Sequence, residues 1–323
     1  MSKAIRIHAN GGPEVLKWED IPTPDPGPGE ALIKQEAVGL NYIDVYFRTG
    51  LYKAPNMPLI IGQEGAGTVL AVGAGVTDIA AGDRVAYAGS IGGYATERVI
   101  PADKLVKLPA AIDFSTGAAM MLQGMTAQYL LHRTYRVKAG DAIVVHAAAG
   151  GVGLMLCQWA KHIGATVIGV VSSDEKAELA RANGAHHTVV GYSTLVAEVK
   201  RITGGAMVPV VYDSIGKDTF NVSLDCLAPL GLMVSYGSAS GPVPPVDIGI
   251  LAAKGSLFLT RPSLATYIAK TADLRTVSAS LFDVVASGAM KIQVNQTYAL
   301  KDAAAAHIAL EARKTTGSTV LIP

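Results

Sequence analysis

Cysteine is scarce in this chain: Cys157 and Cys226 are the two among 323 residues. That is too few for a disulfide framework or a four-cysteine zinc site, and it points to a reducing, cytoplasmic setting. Charge of one sign is missing as well. The 27 Lys and Arg stand against 26 Asp and Glu, so there is no global field to hold nucleic acid or an anionic membrane, and neither partner is expected. No run of about 18 residues is apolar without Gly, charge or polar interruption, so a membrane-spanning helix is not expected either. Residues 1–8 alternate where a secretory signal would place an apolar core. Internal repeats and low-complexity tracts are lacking.

What is present is apolar and glycine-rich. A hydrophobic fraction of 50% excludes intrinsic disorder, and the length allows two domains with sizeable cores. The 35 glycines, many of them after apolar runs, suit an α/β enzyme that meets phosphate with its backbone. The first hundred or so residues read as β-rich, with short strands expected at 4–9, 31–38, 67–72 and 84–88. Residues 21–29, with four prolines, read as a rigid extended connection too short to separate domains. From about 115 the texture turns helical, with apolar residues at mixed 3–4 spacing over 118–135. Strands at 142–149, 166–171, 187–190, 208–213, 232–236 and 256–260 then alternate with helices at 152–163 and 174–183, and a last strand falls at 318–322. Near-continuous apolar strands alternating with helices predict an α/β fold with a doubly wound parallel sheet.

The most informative segment is Ala147-x-x-Gly150-x-x-Gly153, directly after the strand at 142 and directly before an apolar helix. Gly150 and Gly151 allow a tight turn and a close approach to a pyrophosphate. Gly153 lets helix and strand pack closely, and the helix N-terminus at Val152 supplies N–H groups and a positive dipole end. The second strand ends Val171-Ser172-Ser173, without the acid that would bond the ribose hydroxyls of NADH. Small hydroxyls accept a 2′-phosphate, and Lys176 supplies charge, so NADPH is the expected cofactor. Asp174 and Glu175 read as helix-start residues, with Ser172-x-x-Glu175 as a capping box.

The chain resembles the quinone oxidoreductases of the zeta-crystallin type, in the zinc-free branch of the medium-chain dehydrogenase/reductase superfamily. The resemblance runs along essentially the whole length. It is carried by Gly11-Gly12-Pro13-Glu14-Val15-Leu16, Val38-Gly39-Leu40-Asn41-Tyr42-Ile43-Asp44, Gly62-Gln63-Glu64-Gly65 and Ala148-Ala149-Gly150-Gly151-Val152-Gly153. Val211 to Gly216, Val234 to Ser238 and Leu259 to Leu264 add to it. It implies a GroES-like catalytic domain built from 1–121 and 262–323, with a Rossmann cofactor domain at 122–261 inserted between them. It also implies a homodimer joined through cofactor-domain sheet edges. Carried over by motif, Asn41, Gln123, Thr126, Gly151, Val152, Ser172, Lys176, Tyr192, Ser214, Tyr236, Ser238, Arg261 and Arg313 face NADPH. In that carry-over Lys176 meets the 2′-phosphate and Tyr192 lies beside the base.

Zinc-dependent relatives hold their metal with Cys, His and Cys. The matching positions here carry Asn41 and Gln63, with the stretch at 120–123 for the last ligand, and such a set cannot form a normal zinc site. No metal is expected. Without a Lewis acid a simple ketone loses its main activation, whereas a quinone is already electrophilic and needs mainly positioning. Asn41, Tyr46, Tyr52 and Gln63 are the polar candidates at the catalytic end. A tyrosine in a β-rich lobe can equally pack its ring and bond its hydroxyl to backbone, and this plain alternative weighs most at Tyr42. Asp44 is expected to orient its neighbours. Cys157 and Cys226 read as small core residues, and His186 and His187 as structural. The expected function is NADPH-dependent reduction of quinones by hydride transfer. Reduction of activated C=C bonds in enals or enones is the alternative. A crystallin-like or RNA-binding role is disfavoured by the balanced charge and the intact glycine loop.

Overall fold

The computed structural model describes residues 1–23, 25–54 and 56–323. Pro24, inside the extended run expected at 21–29, and Pro55 lie outside the described residues. The chain opens with β1 (Ser2–Ile7), β2 (Lys17–Ile21) and the long β3 (Glu30–Leu40), followed by helix α1 (Tyr42–Thr49). Short β4 (Leu59–Ile60) precedes β5 (Glu64–Val72), β6 (Arg84–Ala88), β7 (Glu97–Pro101) and β8 (Val106–Lys107). Helix α2 (Phe114–Tyr129) leads into β9 (Ala142–His146), α3 (Gly151–Ile163), β10 (Thr166–Val171), α4 (Asp174–Ala182) and β11 (His187–Val190). The alternation continues through α5 (Leu195–Ile202), β12 (Val208–Asp213), α6 (Phe220–Asp225), β13 (Leu227–Ser235), α7 (Gly249–Ala253) and β14 (Phe258–Thr260). The tail holds α8 (Leu264–Tyr267), α9 (Thr271–Ala286), β15 (Val294–Ala299), α10 (Ala303–Glu311) and β16 (Ser318–Ile322).

Two compact units result. The first takes Met1–Met125, Ile268–Phe282 and Ile292–Pro323; the second takes Thr126–Tyr267 and Asp283–Lys291. The second unit is a six-stranded sheet in the order β11-β10-β9-β12-β13-β14, every neighbouring pair parallel. Such a sheet is covered on both faces, which is why its central strands can be apolar on both sides: Ile143, Val144, Val145, Val210 and Val211 are all fully buried. The order reverses between β9 and β12, and in open α/β sheets ligands bind at the strand ends beside that reversal.

The first unit is mainly antiparallel. One sheet runs β15-β16-β3-β5-β6-β8 with β7 also on β3; a smaller one runs β2-β1-β4. Strand β3 carries register shifts at Leu32/Ile33 and Gln35/Ala37, and such bulges bend a strand and increase its twist. Strand β16, from the far end of the chain, pairs antiparallel with β3, placing Thr319 opposite Leu40. That pairing brings the C-terminal Ser318 to the segment that leads into Asn41.

Two expectations need correcting. The first is the far end of the helix expected from about 115 through 135: it begins at Phe114, where Asp113 caps it by accepting from the N–H and hydroxyl of Thr116, both at 2.8 Å. It ends as a π-helical turn over Leu130–Thr134. The second correction is α1: Tyr42 and Tyr46 lie on a helix, one turn apart, that was not expected within the β-rich lobe. Asp44 accepts from the N–H of Asn41 at 2.9 Å, and Gly50 closes the helix in a left-handed conformation.

Helix α1 is anchored by Arg48, which is fully buried. Its Nε donates to the carbonyl of Gly11 at 3.2 Å, NH1 bonds His307 Nδ1 at 2.9 Å, and NH2 pairs with Glu311 at 2.8 Å. The side chain thus joins the loop after β1 to α1 and to α10. Replacing Arg48 by Met leaves the His307 and Gly11 acceptors unpaired in the interior. The first unit is expected to lose about 3–5 kcal/mol, measured by urea unfolding through Trp18 fluorescence in a Trp159→Phe background. A loss under about 1 kcal/mol would make Arg48 dispensable.

Candidate functional site

In the second unit the glycine loop is shaped by what a side chain would hit. A Cβ on Gly153 would lie 2.2 Å from the carbonyl oxygen of Ala147 and 2.8 Å from Ala148 Cα, so only glycine lets α3 start this close to the loop. Ala147 sits at φ 50° and its carbonyl accepts from Gly150 N–H at 2.9 Å. The turn therefore points the first N–H groups of α3, from Gly151 and Val152 onward, out beyond the end of β9.

At the end of β10, Ser172 is exposed and Lys176 half-buried. The cap of α4 is Ser173, not Ser172: its hydroxyl accepts from Lys176 N–H at 3.4 Å. The capping box expected from Ser172 does not form: with Ser173 as the cap the residue three further on is Lys176, which cannot accept, and the Ser172 hydroxyl lies outside the cap. Glu175 bonds Ser173, and its carboxyl is lowered chiefly by that bond, so this acid is occupied at the helix start. Tyr192 places its ring 5.9 Å from that of His146.

Beyond β12, Asp213 is a fully buried carboxylate with four donors. The N–H groups of Ile215 and Gly216 approach at 2.8 and 3.0 Å, and the hydroxyls of Thr219 and Ser223 at 2.7 and 2.8 Å. It folds the turn that carries Ser214. Ser223 also meets His146 Nε2 at 2.9 Å. A serine, a histidine and an aspartate are thus linked, yet all three are buried and the serine hydroxyl is spent on Asp213, so the group is structural. Tyr236 is bonded to Ser214, and burial raises its hydroxyl. Arg261 closes the loop after β13, donating to the carbonyls of Ser235 at 2.9 Å and Gly237 at 3.1 Å, with Ser238 Oγ at 3.4 Å. Thr126, on α2, is buried.

In the first unit Asn41 and Gln123 come together. Gln123 Nε2 bonds Asn41 Oδ1 at 3.0 Å, and Ser318 Oγ bonds Gln123 Oε1 at 2.8 Å. The residue that sequence reasoning missed is Glu64, at the start of β5 and fully buried. Its Oε2 lies 2.6 Å from Asn41 Nδ2, and its Oε1 accepts from Leu122 N–H at 2.7 Å. Burial pushes its carboxyl from 4.5 up to about 8, against the bonds from Asn41 and Leu122. A signal was present: an acid between glycines in an apolar strand, Gly62-Gln63-Glu64-Gly65. Space for it comes from Gly39, where a Cβ would lie 2.4 Å from Glu64 Oε2.

Asp44 is the second buried acid. Its Oδ2 accepts from Asn41 N–H at 2.9 Å and Tyr94 O–H at 3.1 Å, and burial raises it to about 7. Tyr94 continues to His307 Nε2 at 3.1 Å and hence to Arg48. Because Arg48 can only donate, His307 Nδ1 is the acceptor and Nε2 carries the hydrogen. Tyr42, Tyr46 and Tyr52 form an aromatic file with ring centroids 6.1 and 5.2 Å apart. Tyr42 O–H donates to the Leu310 carbonyl at 3.5 Å, the plain packing role that weighed most there, and its hydroxyl, raised by burial, feels the charge of Arg313. Arg313 adopts φ 58° just after α10. Gln63 is buried, and its main-chain carbonyl accepts from Gly89 N–H at 2.8 Å.

Residues 151–283 match the family described as zinc-binding dehydrogenase, and residues 27–110 the alcohol dehydrogenase GroES-like domain. Over all of both chains, the sequence is 52% identical to a quinone oxidoreductase of Pseudomonas aeruginosa. The chain belongs to the quinone oxidoreductase family. It is also 46% identical, over 100% of this chain and 99% of the other, to a 2-haloacrylate reductase of a Burkholderia species. A structure of the Escherichia coli quinone oxidoreductase complexed with NADPH matches with a TM-score of 0.97 and 49% identity, covering 99% of this chain and 100% of that one. The fold is accordingly a GroES-like domain with a Rossmann domain.

Zinc, named in one of those descriptions, does not suit this donor set. Asn41 offers an amide already engaged by Glu64 and Gln123, Gln63 offers another amide, and no group of three His, Cys, Asp or Glu able to hold a metal occurs among the described residues.

His307 gives the network a pH signature. Burial first, and Arg48 second, lower its imidazole from 6.5 to about 3. A depressed pKa stabilises the fold fully above pH 6.5, and that contribution is lost as pH falls toward 3. Gln at 307 can accept from Arg48 and donate to Tyr94 without titrating. His307→Gln is expected to flatten the acid-side decline of the Trp18-monitored urea midpoint; equal slopes in both proteins would show that His307 does not carry it.

Proposed function

We propose that this protein reduces quinones with NADPH and needs no metal to do so. The end of β10 carries this reading: no acid stands ready for ribose hydroxyls, Ser172 is exposed outside the helix cap, and Lys176 is one turn along α4. In the second unit the main chain at Gly150, Gly151, Val152 and Gly153 would bind the pyrophosphate. Ser172 and Lys176 would hold the 2′-phosphate, Tyr192 would lie beside the base, and Thr126, Ser214, Tyr236, Ser238 and Arg261 would line the rest. In the first unit Asn41, Gln123 and Arg313 would be the cofactor-facing residues. NADPH supplies hydride when bound. Asn41, Tyr46, Tyr52 and Gln63 would orient a flat conjugated acceptor, which needs positioning more than polarisation.

The relative named 2-haloacrylate reductase favours a second reading, reduction of an activated C=C bond on the same scaffold. We also propose a homodimer through the edge of the six-stranded sheet. The last strand, β14, exposes Phe258 at 60% and Leu259 at 41%, with Leu230 at 66% and Ile248 at 80%, and an apolar sheet edge of this kind calls for a partner. Both cysteines are free and buried, which suits a reducing cytoplasm. No helix among the described residues is long and apolar enough to cross a membrane.

Lys176→Ala is expected to weaken NADPH roughly ten- to hundredfold, the loss of one charge-assisted bond, and NADH far less. Equal losses would overturn the 2′-phosphate assignment. Turnover of bound NADPH by 1,4-benzoquinone should exceed turnover by an enone; the reverse would move the assignment to C=C reduction. Phe258→Asp should convert the dimer to monomer in sedimentation, and an unaltered dimer would place the interface elsewhere.

A further inference from the structure

We propose that Arg98 is a positioning residue for Gln63: its guanidinium fixes the shape of residues 89–93, and those residues hold the main chain before and after the Gln63 side chain. This role rests on the reading of Gln63 as a residue that orients the acceptor. Every group involved belongs to the first unit.

The loop between β6 and β7 contains Gly89, Gly92 and Gly93, the first two at φ 83° and 109°. Glycine loses more freedom on ordering than any other residue, so this stretch has little shape of its own. Its two ends are tied. Gly89 N–H donates to the Gln63 main-chain carbonyl at 2.8 Å, and Gly93 N–H donates to the Gly62 carbonyl at 2.9 Å. Between those ends, no hydrogen bond between main-chain groups holds residues 90–92 among the described residues. Arg98, on β7, holds them instead. Its Nη1 donates to the Ser90 carbonyl at 3.0 Å and its Nη2 to the Ile91 carbonyl at 2.8 Å. The guanidinium carbon stands 4.7 Å from the ring centre of Tyr87, on β6. Two successive carbonyls met by two nitrogens of one planar fork set the direction of the loop, and a lysine ammonium has no such fork.

The base of the loop is set separately. Tyr87 donates its hydroxyl to Gln35 Oε1, and Gln35 Nε2 donates to the carbonyls of Gly93 and Ala95. Each of these buried groups is matched one to one, so the base is rigid and the tip is left to Arg98. From the loop to Gln63 there is no slack. Tyr94 N–H donates to the Ile61 carbonyl at 2.9 Å. A Cβ on Gly62 would lie 2.2 Å from Tyr94 Cδ1 and 2.9 Å from Tyr94 N, so residues 62 and 63 follow any movement of 93 and 94. The Gln63 amide makes no side-chain hydrogen bond among the described residues. Its place is therefore the one its main chain gives it, and that main chain is held by the Gly89 and Gly93 bonds.

Arg98→Lys tests this, because lysine keeps a charge beside Tyr87 but cannot meet both carbonyls as a fork. In the cofactor-free protein, amide exchange at Gly89 and Gly93 should be about tenfold faster in R98K or more, the size of one charge-assisted hydrogen bond. Equal exchange in the two proteins overturns the proposal. The kcat/KM for 1,4-benzoquinone should fall roughly fivefold while the NADPH dissociation constant moves by less than about twofold. In a Gln63→Ala background R98K should cost less than about twofold, because the side chain that Arg98 positions is gone. A loss as large there as in wild type would make Arg98 a structural residue and overturn its positioning role. Should R98K fail to fold, Gly92→Ala takes its place: a Cβ at residue 92 would stand 3.3 Å from Arg98 Nη2, pushing the loop tip off a guanidinium that is still present. The same comparison with Gln63→Ala then decides. Absence of quinone reduction by the wild type with NADPH would instead overturn the proposed function, and amide exchange would judge Arg98.

Discussion

A charged group taken out of water must find its full set of partners inside, and in the first unit that demand falls on Arg48. Its guanidinium spans the loop after β1, helix α1 and helix α10, three segments far apart in the chain. Removing one partner from such a group costs far more than the group adds when complete, so the arrangement constrains more than it stabilises. From Arg48 the constraint passes through His307 and Tyr94 to Asp44, and Asp44 holds the N–H of Asn41. The start of α1 is therefore fixed by contacts that reach to Glu311.

The second unit solves a similar problem with a buried carboxyl group. Asp213 gathers two N–H groups and two hydroxyls, and in doing so folds the turn that presents Ser214 beside the strand-order reversal. In each unit the partners of a buried polar side chain, Arg48 in the first and Asp213 in the second, shape a loop, while the apolar core around it supplies the bulk of the burial. The rings of Tyr42, Tyr46 and Tyr52 pack in file along one side of α1, and the amides of Asn41 and Gln63 stand at the positions matched to metal ligands of zinc-dependent relatives. Such a site is suited to acceptors whose conjugation already makes them electrophilic.

Strands β6, β10, β11, β12 and β16 have the bounds read from the sequence, because continuous apolar runs between glycines leave few other solutions. The glycine loop was equally legible, since strand, glycines and helix follow one another locally. Helix α1 was not, although Asn41, Asp44 and Gly50 are its start and stop signals; strands on either side and three tyrosines masked a helix of 8 residues. The cap of α4 slipped by one residue for a similar reason, as Ser172 and Ser173 are alike in sequence and only the backbone direction leaving β10 selects between them.

Composition and local pattern by themselves determined the α/β class, the dinucleotide loop and the missing acid at the end of β10, because each depends on residues close in sequence. Only tertiary structure decided that Glu64 and Asp44 share Asn41, that Gln123 and Ser318 join them, and that Arg48 lies behind the whole network. Those partners come from α1, β5, α2, α10 and β16, and no periodicity links them. Burial sets the protonation of the acids among them, and burial exists only once the chain is folded.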